Sequence, residues 1–228
     1  MTAPVKKEPI SGLEAASVSR NIGQQDLRPV TPEMGVVVHT SAERRLAAEH
    51  WLLSTLPSFG RERARMEWQE HSVTLLPLGT LFAAVRLPGP LIRAMAASTK
   101  PADVDAVLKE ALQGGPVICD RHRSRYYLLV PASVPRTWHE AATDWQAADV
   151  AVIGRGTYLG VPRLDADRSR SGIGSYWAVS MESPAVLCEP LHVARLIAAG
   201  HELLAQAHQL DAVDPTASVT GLRHDARK

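Results

Sequence analysis

The sequence predicts an α/β (α+β) fold in which helices pack on a mixed or antiparallel sheet. Three features of the 228 residues point there: segments of helical apolar spacing interleave with short strand-forming runs, several strands are joined by hairpins too short for a crossover, and no internal repeat occurs. A chain of this length builds one core of ordinary size.

Residues 1–32 mix Pro4, Pro9, Pro29 and Pro32 with Ser, Gly and Gln and carry no periodicity, so they are expected to form a disordered arm ahead of one domain over 33–208. Thr40 and Glu43 have capping-box spacing before Leu46, Ala47, His50, Trp51 and Leu53, which predicts a helix ended by Pro57. Arg61 to His71 reads as a polar stretch. Val73–Leu76 and Leu81–Leu87 read as two strands, or one broken strand, divided by Pro77 and Gly79. Val104, Val107, Leu108, Ala111 and Leu112 repeat at helical spacing before Gly114-Gly115, giving a helix over about 102–113.

Residues 116–130 form a predicted hairpin whose tip is the polar run Asp120–Ser124. A short helix near 138–146, strands at 150–153, 157–161 and 175–179, and a last helix through Leu191, Ala194, Leu203 and Ala207 follow. Gly200 weakens that helix by about 1 kcal/mol relative to Ala. Residues 209–228 read as a flexible tail.

Twenty-five Lys and Arg against 24 Asp and Glu leave the net charge at +1, so any attraction to nucleic acid must be local. Cys119 and Cys188, the two cysteines, lie in apolar surroundings as buried thiols do in a reducing compartment; the sequence allows a disulfide between them without implying one. With no run of signal-peptide or membrane-span length, the expected location is cytoplasmic, away from membranes.

The commoner motifs are excluded by spacing. No CxxC, HExxH or HxH occurs, so no metal site is expected. Cys188 and His192 are four apart but separated by Pro190, and read as a buried thiol and a surface imidazole. Gly154 to Gly160 has GxGxxxG spacing and leads into a strand rather than a helix, which marks a glycine turn. Gly172-Ile173-Gly174-Ser175 lacks the GxSxG pattern of a nucleophile elbow.

Two local compositions carry chemistry. Asp165 and Asp167 offer paired carboxylates of the kind that hold Mg²⁺ with a phosphate substrate, although Arg163, Arg168 and Arg170 beside them supply ion-pair partners. Arg121, Arg123 and Arg125 alternate ahead of Tyr126-Tyr127, and Arg136 follows. Alternation along a strand sends such cations to one face with a stacking ring, as single-strand and phosphate binders require.

In order and spacing, Gly79–Pro88, Gly115-Pro116-Val117, Arg125–Pro131, Gly154–Pro162 and Ser175-Tyr176-Trp177 resemble the N-terminal domain of bifunctional DNA primase/polymerases, within the archaeo-eukaryotic primase superfamily, and most closely its short stand-alone actinobacterial forms. The resemblance spans residues 78 to about 200. It implies a primase/polymerase-like fold, in which active members place metal-binding acids where this chain has Ala83 and Arg86. Neither residue ligates Mg²⁺. The family's histidine is likewise matched only by Tyr127, or by His122 out of register.

The resemblance therefore implies a non-catalytic module that binds single-stranded DNA, RNA or nucleotide, in replication or its regulation. Arg86, Arg121, Arg123, Arg125, Tyr127, Arg136, Arg155 and Arg163 are the candidate contacts, with no cofactor. Two alternatives stand beside it: an active primase/polymerase or nucleotide hydrolase using Asp165, Asp167 and Mg²⁺, and a protein-interaction domain that has lost nucleic acid.

Overall fold

The computed structural model describes residues 40–168 and 174–213. The expected N-terminal arm, Arg170 and the Gly172-Ile173 part of the glycine motif lie outside the described residues.

The elements run α1 (Ser41–Leu53), α2 (Ser58–His71), β1 (Val73–Pro77), β2 (Phe82–Pro88), α3 (Gly89–Ala96), α4 (Pro101–Ala111), β3 (Val117–Asp120), β4 (Arg125–Pro131), α5 (Val134–Thr137), α6 (His139–Trp145), β5 (Ala151–Ile153), β6 (Tyr158–Pro162), β7 (Ser175–Val179) and α7 (Pro190–Val213). The last helix thus continues five residues into the segment read as a tail. Among the described residues no helix is long and apolar enough to cross a membrane.

Five strands form one sheet in the order β5-β2-β4-β3-β7, and β1 pairs with β6 in a separate two-stranded ribbon. Every pairing is antiparallel. The sheet is the wall between two cores, because successive side chains of a strand leave on opposite faces. From β2, Ala83, Val85 and Leu87 join Leu91 and Ile92 of α3, Val104 and Leu108 of α4, and Val193, Leu196 and Ile197 of α7. Phe82 and Ala84 join Leu52 and Leu53 of α1, Trp68 of α2, and Leu76, Leu159 and Val161 of the ribbon.

Local chemistry explains the boundaries. The Thr40 hydroxyl accepts from the Glu43 amide at 3.2 Å while the Glu43 carboxylate accepts from the Thr40 amide at 2.7 Å, which closes the expected capping box on α1. The stretch read as polar from Arg61 is helix α2, and only Ala64 and Trp68 of it are buried. Its Trp68 Nε1 donates to Val161 O at 2.8 Å and ties the helix to the ribbon. Gly200 has a packing role: a Cβ there would meet Leu91 Cδ2 at 2.6 Å, so glycine permits α7 to lie against α3. Both cysteines are free and buried. Cys188 Sγ faces Pro116 O at 3.4 Å rather than His192, and burial pushes its thiol up to about 12.

Candidate nucleic-acid interface

The face of the sheet that packs on α1, α2 and the ribbon becomes polar toward one end of its strands. Arg86 follows Phe82 and Ala84 on that face, directly opposite Tyr127, and Arg125 lies two residues before Tyr127 on the same face of β4. Arg86 Nη2 donates to Asp149 Oδ1 at 3.1 Å, and Arg125 Nη1 donates to Asp149 Oδ2. One carboxylate is therefore shared by two guanidiniums, so these three side chains together carry one positive charge, with Asp120 standing opposite Arg125 across the β3–β4 pair. Arg86, Arg125 and Asp149 are 35%, 28% and 48% exposed, so the charge is presented to solvent beside a half-buried tyrosine ring. Arg86 Nε is buried without an acceptor among the described residues.

Ala83 and Arg86 leave β2 on opposite faces of the sheet. Ala83 is fully buried in the α3/α4/α7 core, whereas Arg86 faces the other way. Residues three apart on a strand leave from opposite faces, so carboxylates at 83 and 86 would not share a metal. Ala84 is the position that shares a face with Arg86.

The three arginines of the hairpin tip also separate, contrary to the expected single face. Residues 121–124 form a turn rather than strand, with Ser124 in the left-handed region at φ 48°, so strand alternation does not apply to them. Arg121 sits 4.6 Å above the Tyr176 ring and donates to Arg168 O at 2.7 Å, toward the α4 side. The Arg123 side chain is exposed, and its amide donates to Asp120 Oδ1 at 3.2 Å. Only Arg125 reaches the sheet face.

The remaining candidates fall in two further places. Arg163 lays its fork on Asp165, Nε to Oδ1 at 2.9 Å and Nη2 to Oδ2 at 2.7 Å, in a cavity of about 300 Å³ lined by Arg45, Glu49, Arg65, Trp68 and Gln69. Asp167 lines a neighbouring cavity with Ser41, Arg44 and Glu182. Arg136 and Arg155 come together around a third cavity, with Gly79, Ser133 and Pro135. Among the described residues no three His, Cys, Asp or Glu side chains form a group able to hold a metal ion.

Two acids that organise these sites were not singled out from the sequence. Asp149 lies 63 residues from Arg86 and 24 from Arg125, and no local pattern marks it. Asp105 was legible in principle, since it stands three residues before Leu108 and seven before Leu112 on the buried stripe of α4, where an acid is unusual. It accepts from Tyr176 Oη at 3.1 Å and from Arg168 Nη1 at 2.9 Å. Burial, partly opposed by Tyr176 and Arg168, pushes its carboxyl up to about 6.

Comparison with family models, with curated proteins and with solved structures found no match to this chain.

Proposed function

We propose that this chain is a non-catalytic, primase/polymerase-like module that binds single-stranded nucleic acid or nucleotide, in replication or its regulation. The supporting observation is the arrangement of Arg86, Arg125 and Tyr127 on one partly exposed end of the sheet face, where Tyr127 also packs against the core beneath. Two forks share one acid and so retain positive charge for phosphate oxygens, while the tyrosine offers a ring for a base to stack on. The same carboxylate fixes both guanidiniums in place, which lowers the entropy lost when they meet a phosphate. Arg163 meanwhile occupies both oxygens of Asp165, which leaves that acid engaged by a cation rather than poised for Mg²⁺. We place the protein in the cytoplasm, where its two buried free thiols stay reduced.

The test is fluorescence anisotropy with a labelled single-stranded oligonucleotide over a salt series. Each phosphate contact contributes about 0.7 to the slope of log affinity against log salt. Arg86→Ala and Arg125→Ala should each lower the slope by about that amount, and Tyr127→Ala should weaken binding by about 1–3 kcal/mol with the slope unchanged. Affinity indifferent to salt and to all three substitutions would refute the proposal.

A second reading, a protein-interaction domain, is favoured by the outer face of the ribbon. Leu75 and Tyr158 there are 61% and 65% exposed although their strands are paired. Sedimentation velocity across a concentration series tests it for self-association, which Leu75→Lys should abolish.

A further inference from the structure

The cavity that holds Arg136 and Arg155 is separate from the Arg86 surface. It opens at the Phe82 end of β2, where Gly79 N donates to Phe82 O at 2.7 Å. Four residues of strand, about 13 Å, divide Phe82 from Arg86.

Three turns meet to build it. Gly79 adopts φ +90°, and a Cβ there would stand 2.5 Å from Arg155 N, so only glycine brings the two backbones together. Gly154 makes the second close approach, since a Cβ there would meet Pro135 Cγ at 2.7 Å. Leu78 N donates to Thr157 O at 2.9 Å and Thr157 N to Gly154 O at 3.1 Å, which pins the Gly154–Thr157 turn at both ends. Arg155 is thereby presented from a fixed backbone, and Arg136 from the short helix α5 across the opening.

The charge in this cavity is one-sided. Gly79, Ala132, Ser133, Pro135, Arg136 and Arg155 line it, so its charged groups are two guanidiniums and no carboxylate. Neither arginine pairs with an acid among the described residues, whereas Arg63, Arg65, Arg86, Arg125, Arg163 and Arg168 all do. Like charges gathered on one concavity repel unless an anion joins them. A phosphoryl group carries about −1.5 to −2 charge near neutral pH and accepts guanidinium forks in pairs, with the Ser133 hydroxyl at hand as a further donor. The volume of about 460 Å³ exceeds one phosphate and suits a diphosphate or a small phosphate ester.

We propose that this cavity is a phosphoryl-binding site, taking a diphosphate or the phosphate end of a small ester between Arg136 and Arg155. It does not depend on the nucleic-acid reading of the Arg86 surface.

Isothermal titration of the full chain with sodium pyrophosphate, at ionic strength held constant with NaCl, tests it. Saturable binding is expected, weakened about tenfold or more by Arg136→Ala and by Arg155→Ala, each of which removes a charge-assisted bond. Arg155→Lys keeps the charge and loses the fork, so its affinity should fall between those of wild type and Arg155→Ala. Arg63→Ala, an exposed arginine on α2 outside both arginine surfaces, should leave the affinity within about twofold. Both arginines of the cavity are exposed, so thermal melts of the variants should match wild type. Absence of saturable binding by the folded wild-type chain, equal affinity in the Arg136→Ala/Arg155→Ala double variant, or an equal loss on Arg63→Ala would each overturn the proposal. An oligonucleotide result at the Arg86 surface would be unaffected by any of these.

Discussion

Replacing Asp105 with Asn should make the protein more stable at neutral pH, and the gain should vanish in acid. The carboxyl is 13% exposed on α4 and receives bonds from Tyr176 and Arg168, yet burial outweighs them and raises it from 3.8 to about 6. The native state therefore holds this proton more tightly than the unfolded chain does. Well below pH 3.8 the group is neutral in both states; between there and about 6 the unfolded chain ionises while the folded one stays protonated, so stability falls, and above about 6 the loss is complete. A displacement of about two units at 1.36 kcal/mol each amounts to about 3 kcal/mol at pH 7.5. Asparagine keeps an acceptor for Tyr176 and Arg168 and carries no charge to desolvate. The raised value already includes what Arg168 and Tyr176 contribute to the charged form, so the expected gain at pH 7.5 is up to about 3 kcal/mol. Urea unfolding of wild type and Asp105→Asn, at half-unit steps from about pH 4 to pH 7.5, isolates this residue because all other titrations cancel in the difference. A difference that stays flat across that range, or favours wild type increasingly with pH, would refute the account.

Other substitutions test the packing. Gly200→Ala raises helix propensity but drives a methyl into Leu91, so urea melts should show a loss of about 1–3 kcal/mol rather than a gain. Leu128→Ala, in the middle of β4 and fully buried, should lose about 2–5 kcal/mol by the same measurement. Thr40→Ala removes one half of the α1 capping box and should lose about 0.5–2 kcal/mol. Cys119 and Cys188, both buried and both held above the ordinary thiol range, should react with an aromatic disulfide reagent only after urea is added, as followed by absorbance.

Local signals were readable in the sequence and distant pairings were not. The Thr40–Glu43 box, the 116–130 hairpin and the strand at 175–179 all depend on neighbours a few residues away, and all form as expected. Helix α2 escaped because two buried side chains in 14 residues leave too thin an apolar stripe to show a period. Helix α3 escaped because Gly89-Pro90 reads as a break, although proline is well suited to the first turn of a helix. The division of β1 and β2 between two sheets follows from the pairing of β1 with β6, some 80 residues later, which no local window contains.

The single face expected for the hairpin-tip arginines is overturned for a related reason. Side-chain alternation predicts one face only where the backbone is extended, and the hairpin tip is a turn, so three arginines in sequence became one on the sheet. What did place Arg86, Arg125 and Tyr127 together was the antiparallel register of β2 and β4, and what holds the two arginines is Asp149, two residues before β5.

The bond between β1 and β6 sets an order of events for a growing polypeptide. Leu52, Leu53 and Leu76 leave the ribosome early, but Leu159, Val161 and Trp177, which seal them, are translated about a hundred residues afterwards. The earlier half of this core is thus sealed by the later half. During that interval the nascent chain must carry an apolar surface that its own later strands will claim, and a ribosome stalled before Tyr158 would display it to whatever chaperone is near.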